Sequence, residues 1–119
     1  MESQNLDHLN GLLALLAEGG FLEGMKTYFA DDVAIQEQDN PARKGKAECI
    51  AFEEKLLEGV AEFIQYTAHS IGAGGDKTFY EATMEFKTKD GAHVVQNQVV
   101  VTTWKDGEIV FERYYHGNA

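Results

Sequence analysis

The amino-acid sequence predicts an α+β domain: a cone-shaped, curved antiparallel sheet whose concave face is covered by three helices from the N-terminal half. Three observations carry this. Helical periodicity is confined to the stretch before Gly59, and only strand patterns follow it. The strands are separated by Gly72-Ala73-Gly74-Gly75-Asp76, Lys89-Asp90-Gly91 and Lys105-Asp106-Gly107, the last two being hairpin-turn signals. Tyr80, Ala82, Met84 and Phe86 alternate with Glu81, Thr83, Glu85 and Lys87, so this sheet needs a cover on one side only.

Taken in order, Leu6, Leu9, Leu13 and Leu16 recur at helical spacing from Leu6 to Glu18, Leu12 and Leu15 widen the stripe, and Gly19-Gly20 stops the helix. A shorter helix from about Phe21 gathers Phe21, Leu22, Met25, Tyr28 and Phe29 on one side. Asp31-Asp32 then turns the chain into a strand beginning at Val33. Asn40 to Gly45 holds the only proline and reads as a loop. The third helix, Ala47 to Glu58, places Cys49, Phe52 and Leu56 on one face with Glu53, Glu54 and Glu58 largely opposite, and Gly59 ends it. Four long antiparallel strands complete the chain, with no repeat or second domain, so residues 1–119 form one unit.

A chain of 119 residues buries roughly two thirds of its unfolded surface, and a 44% hydrophobic content supplies an ordinary core. Twenty acidic against ten basic residues give a formal charge of -10, which disfavours nucleic acid and anionic membrane surfaces. The single Cys49 forms no internal disulfide, and the start Met1-Glu2-Ser3-Gln4-Asn5 lacks the basic and apolar runs of a signal peptide, so a cytoplasmic setting is expected. No apolar run approaches the ~20 residues that span a bilayer. His8, His69, His93 and His116 show no paired ligand spacing, and phosphate-loop, dinucleotide and serine-elbow motifs are missing. Neither a metal nor a cofactor is therefore expected, and Cys49 reads as a quiet core thiol.

The lead residue is Glu37. Val33, Ile35 and Glu37 share a strand face that begins apolar and ends in an acid. Such an acid is either wet at a rim or held in a pocket, where a carboxyl titrates above its usual ~4.3 and serves as a base near neutral pH. Polar residues on inward strand faces are the other candidates, because burying them unpaired costs about 1 to 3 kcal/mol. Counting from Trp104 as a core residue, the inward set on its strand is Val94, Gln96, Gln98, Val100 and Thr102. With Val110 inward, the last strand turns Glu112, Tyr114 and His116 to the same side. Glu37, Tyr114 and His116 are the catalytic candidates. Glu112, Gln96, Gln98, Tyr80, Met84, Phe86 and Trp104 are the candidate pocket lining. Phe111, Arg113 and Tyr115 face outward and are too apolar for a plain solvated face, which predicts a homodimer contact through the outer sheet face.

Tyr28-Phe29-Ala30-Asp31-Asp32-Val33, followed by Pro41-Ala42-Arg43-Lys44-Gly45-Lys46-Ala47, resembles the helix-to-strand junction of the nuclear-transport-factor-two-like superfamily, which includes ketosteroid isomerase and the SnoaL-like polyketide cyclases. Ala17-Glu18-Gly19-Gly20-Phe21 and the stretch Val101 to Val110 fit as well, so the resemblance spans nearly the whole chain. It implies a cystatin-like, SnoaL-like cone, with Glu37 where ketosteroid isomerase has its general base and Glu112, Tyr114 and His116 in the pocket wall. Two positions depart: the oxyanion tyrosine falls near Leu13 and the proton-donating aspartate at Val100. Without both donors an enolate lacks its main stabilisation, so steroid isomerisation is not expected.

These observations lead to a small-molecule pocket protein with a mostly apolar ligand. As an enzyme it would run cofactor-free acid/base chemistry of isomerase, cyclase or hydrolase type through Glu37, Tyr114 and His116. A non-catalytic ligand-binding or dimeric interaction module of the same fold is the alternative.

Overall fold

The computed structural model describes residues 2–116. The elements are α1 (Glu2–Ala17), α2 (Phe21–Tyr28), β1 (Phe29–Glu37), β2 (Arg43–Lys44), α3 (Lys46–Leu57), β3 (Val60–Gly74), β4 (Lys77–Thr88), β5 (His93–Lys105) and β6 (Glu108–His116). They form one six-stranded sheet of order β2-β1-β6-β5-β4-β3. The four strands β3 to β6 make the antiparallel meander the sequence predicts. β1 joins β6 in parallel, which makes the sheet mixed.

α1 begins four residues before its first leucine, because Asn5 already lies on the buried face one turn ahead of Leu9. Its end is a Schellman closure. Gly19 takes φ +81°, Gly20 N–H donates to Leu15 O at 2.8 Å and Gly19 N–H to Leu16 O at 2.9 Å. The strand after α2 starts at Phe29 rather than Val33, since Phe29 is already extended (φ -78°, ψ 134°) where the helix ends. Asp31 and Asp32 lie inside that strand, exposed, where its register against β6 shifts.

The core joins Leu9, Leu12, Leu13 and Leu16 of α1 to Met25, Val33, Ile35, Tyr66, Tyr80, Val100 and Ile109. β6 departs from simple alternation. Thr103 pairs with Phe111 but the next residue, Trp104, pairs with Ile109, so Val110 is the extra residue of a β-bulge. Ile109 is therefore the fully buried residue, where the sequence pattern puts Val110, and the bulge restores the predicted inward direction by Glu112. No helix of the described residues is long and apolar enough to cross a membrane.

Trp104 anchors the end of the sheet near α1. Its ring stacks on His8 at 5.8 Å, meets Tyr28 edge-on at 6.1 Å, and its Nε1–H donates to the buried Thr78 Oγ1 at 2.9 Å. Trp104→Phe leaves that hydroxyl without its donor, and we expect a loss of about 1–3 kcal/mol, read as a lower urea midpoint with an unchanged slope.

Candidate functional site

The parallel register of β1 and β6 builds the site. It sets Ile35 beside Glu112 and Glu37 beside Tyr114, so the face that ends in Glu37 continues directly onto the polar face of β6. Together with Gln96 and Gln98 of β5, Tyr80 and Met84 of β4, and Tyr66 of β3, these residues surround a cavity of about 150 Å³ beneath the helices. Leu12, Leu16, Phe21, Met25 and Phe29 make its apolar side. An apolar cavity of roughly that volume holds one benzene-sized molecule.

Glu112 is 2% exposed and faces this cavity. Burial pushes its carboxyl up to about 7, against the hydrogen bond that Tyr114 Oη donates to Oε1 at 2.8 Å. Thr102, its neighbour across the sheet, pulls the same way as Tyr114, although its hydroxyl completes no hydrogen bond of ordinary geometry; the charge of Glu53 pushes upward. No salt bridge to Glu112 forms among the described residues. Burial also keeps the Tyr114 hydroxyl protonated, with its pKa well above the ordinary value. The pair can thus present a neutral acid or, once ionised, a carboxylate that occupies Tyr114's only proton.

A second polar group lies on β3 to β5. Gln96 Nε2 donates to Gln98 Oε1 at 2.9 Å, Gln98 Nε2 donates to Tyr66 Oη at 2.7 Å, and the Tyr66 and Tyr80 hydroxyls lie 3.0 Å apart. Burial raises Tyr66 to about 12 and Tyr80 well above its ordinary value, so both hydroxyls are neutral.

The rim carries charge. Glu37 lines the cavity with 40% of its side chain exposed, and His116 Nε2 donates to its Oε2 at 3.2 Å. Arg43 and Glu53 stand on the same rim. Burial raises the Glu53 carboxyl; Arg43 opposes this and Glu37 adds to it. The Arg43 guanidinium lies 3.5 Å over the Phe52 ring, and its Nε has no hydrogen-bond partner.

Of the residues singled out in the sequence, Glu37, Tyr114, Glu112, Gln96, Gln98, Tyr80 and Met84 line this cavity. Three do not. Trp104 belongs to the core against His8, because the strand carries it past the cavity toward the hairpin turns. Phe86 sits beyond the other end, between Phe63 and Val94. His116 reaches the cavity only through Glu37; it ends β6 and lines a separate surface hollow with Gln38 and Tyr115. Sequence reasoning misses Glu53 and Arg43. The sequence reading sets Glu53 largely opposite Cys49, but a residue four on shares that side of α3 and Glu53 lines the cavity, while Phe52 turns onto Arg43 and is 40% exposed. Among the described residues no group of three His, Cys, Asp or Glu side chains is placed to hold a metal.

Helices over one face of a mixed sheet, with a cavity lined by a buried acid, tyrosines and an acidic rim, define a small α+β cavity protein. Known proteins share this plan. The model of the SnoaL-like domain matches residues 9–112, and the chain belongs to that family. A candidate SnoaL-like polyketide cyclase from Mesorhizobium loti superposes with a TM-score of 0.80 at 24% identity, covering 92% of this chain and 97% of that one. An LEH-like epoxide hydrolase of M. tuberculosis gives 0.80 at 18% identity, covering 98% and 84%. A protein from Catenulispora acidiphila with a ketosteroid isomerase-like fold, in complex with trimethylamine, gives 0.76 at 14% identity, covering 91% and 83%. At these identities the likeness is one of fold. No curated protein matches the sequence.

The raised carboxyl of Glu112 has a consequence for stability. From about pH 4.5 upward the unfolded chain releases this proton while the folded chain keeps it to about 7, so the contribution is whole below 4.5 and is lost as pH rises through 7. Glu112→Gln, which cannot ionise, should escape that loss. Urea unfolding from pH 4 to 8 is expected to show the variant gaining on the wild type by roughly 3 kcal/mol, since each pH unit separating the folded and unfolded midpoints is worth about 1.4 kcal/mol; parallel curves would contradict the assignment.

Proposed function

We propose that the cavity binds a small, mostly apolar molecule bearing an oxygen function, and that the protein carries out cofactor-free proton chemistry on it. Glu37 is the general base. It takes a proton from carbon beside a carbonyl, the C–H pair forming the C=C bond as the C=O π pair moves onto oxygen, or from a water that attacks an epoxide carbon as that carbon's C–O bond breaks and its pair stays on oxygen. His116 is a positioning residue, holding Oε2 of Glu37 and leaving the other carboxylate oxygen for the proton. Tyr114 faces the developing oxyanion, and it is free to donate there once Glu112 carries a proton and bonds to Tyr114 in turn. The single observation that carries this reading is Glu112: a buried carboxyl near 7 beside a tyrosine in an apolar cavity, with a second carboxylate at the mouth. Two acids in unlike surroundings are the usual source of one acid and one base.

A non-catalytic binding module is the second reading, favoured by the 40% exposure of Glu37, which leaves that carboxylate well hydrated. The choice is testable on ketone and epoxide panels. Glu37→Gln is expected to lower kcat by about a hundredfold or more with little change in ligand affinity. Equal turnover by wild type and variant would remove Glu37 from the chemistry.

The working unit is proposed to be a homodimer joined by the outer sheet face. Val95, Val99 and Tyr115 are 52%, 42% and 41% exposed, and Phe79, Val101 and Phe111 extend the same apolar surface between them. Val99→Glu should convert dimer to monomer in sedimentation velocity; an unchanged sedimentation coefficient would place the contact elsewhere.

A further inference from the structure

Tyr114 is held by Glu112 whenever that carboxyl is ionised. Arg43, Gln96, Gln98, Tyr66 and Tyr80 are the other donor-bearing residues around the cavity; the two tyrosines are buried in it, and their protons can be counted.

Gln98 commits its Oε1 to Gln96 and therefore turns an N–H toward Tyr66. Tyr66 Oη accepts that hydrogen and shares one more with Tyr80. The two hydroxyls own two protons, and the contact between them uses one. Among the described residues neither hydroxyl has another acceptor. If Tyr80 donates to Tyr66, the Tyr66 proton is left over; if Tyr66 donates, the Tyr80 proton is. One O–H is unspent in either case, and both tyrosines line the cavity while being 5% and 2% exposed. An O–H with no acceptor is costly to bury, so a ligand oxygen supplies what the protein leaves out.

We propose that the Tyr66 and Tyr80 pair, oriented by Gln98, is the subsite for an acceptor oxygen of the ligand, and that the ligand class is a monocyclic ketone. The cavity volume of about 150 Å³ sets the single ring. Gln96 and Gln98 are positioning residues in this scheme, since they fix which way the tyrosine protons point. The inference rests on the cavity being a ligand site, as proposed above, and is independent of whether Glu37 acts as a base.

The test is an NMR titration with cyclohexanone labelled with ¹³C at the carbonyl, with benzene as a ring that has no acceptor oxygen. In the wild type the carbonyl resonance should move downfield on binding. Tyr66→Phe and Tyr80→Phe each keep one hydroxyl, so each should keep the shift. The double variant should lose the shift and bind cyclohexanone about tenfold more weakly, while benzene affinity stays within twofold. A folded wild type that binds cyclohexanone without a downfield shift would overturn the proposal; it would mean the two amides are reversed and both tyrosine protons are spent. Persistence of the shift in the double variant, checked for folding by circular dichroism, would overturn it too. Benzene binding without these carbonyl effects sinks this inference alone. Failure of both probes to bind sinks the ligand-site reading and this inference with it.

Discussion

A carboxyl group buried without a cation is the constraint around which this site is built. Desolvating an ionised carboxylate is expensive, and a protein meets that cost by pairing the charge, by hydrogen-bonding it or by keeping the proton on. Glu112 has one hydrogen bond of ordinary geometry, from Tyr114, and no salt-bridge partner among the described residues. Its proton therefore stays on to about pH 7. The cavity beside it keeps its apolar side because the helices seal that face with leucine, methionine and phenylalanine.

Backbone geometry puts the group there. The bulge at Val110 lets Ile109 and Glu112, three residues apart, both turn inward, which a regular strand forbids. Regular alternation from Ile109, with Val110 paired rather than bulged, would place the acid on the outer face and turn Phe111 inward. The parallel seam with β1 then brings Glu37 beside Tyr114, so the dry acid and the wet one lie two residues apart along β6. This separates a floor, where protons are held tightly, from a rim, where Glu37, Glu53 and Arg43 meet water.

Much of this was legible in the sequence, for reasons that differ by element. The leucine stripe and the Gly19-Gly20 stop announce α1 because helical period and glycine closure are local properties. The meander follows from alternation and turn chemistry in the same way. A period of two counted from Val110 assigns Glu112 and Tyr114 to the cavity face, and that count lands on the right residues because the bulge falls between Ile109 and Phe111. Phe86 and Trp104 show the limit. Facing inward is a property of a strand, whereas lining a cavity depends on how far along the strand the helices stand back, and both residues lie past that point. Glu53 is hidden for another reason: a glutamate among glutamates on an acidic helix gives no signal that one of them turns half-buried toward a cavity. Its spacing of four from Cys49 is the only trace.

The central claim is that Glu112 faces the cavity as an acid that keeps its proton to about pH 7. It is tested most directly by ¹³C NMR titration of the glutamate side-chain carboxyls, with the Glu112 resonance assigned by its loss in Glu112→Gln. That one resonance should titrate with a midpoint near 7. A midpoint in the ordinary carboxylate range, about 4.3, would contradict the claim, because the carboxyl would then be hydrated or paired and the cavity would hold no acid.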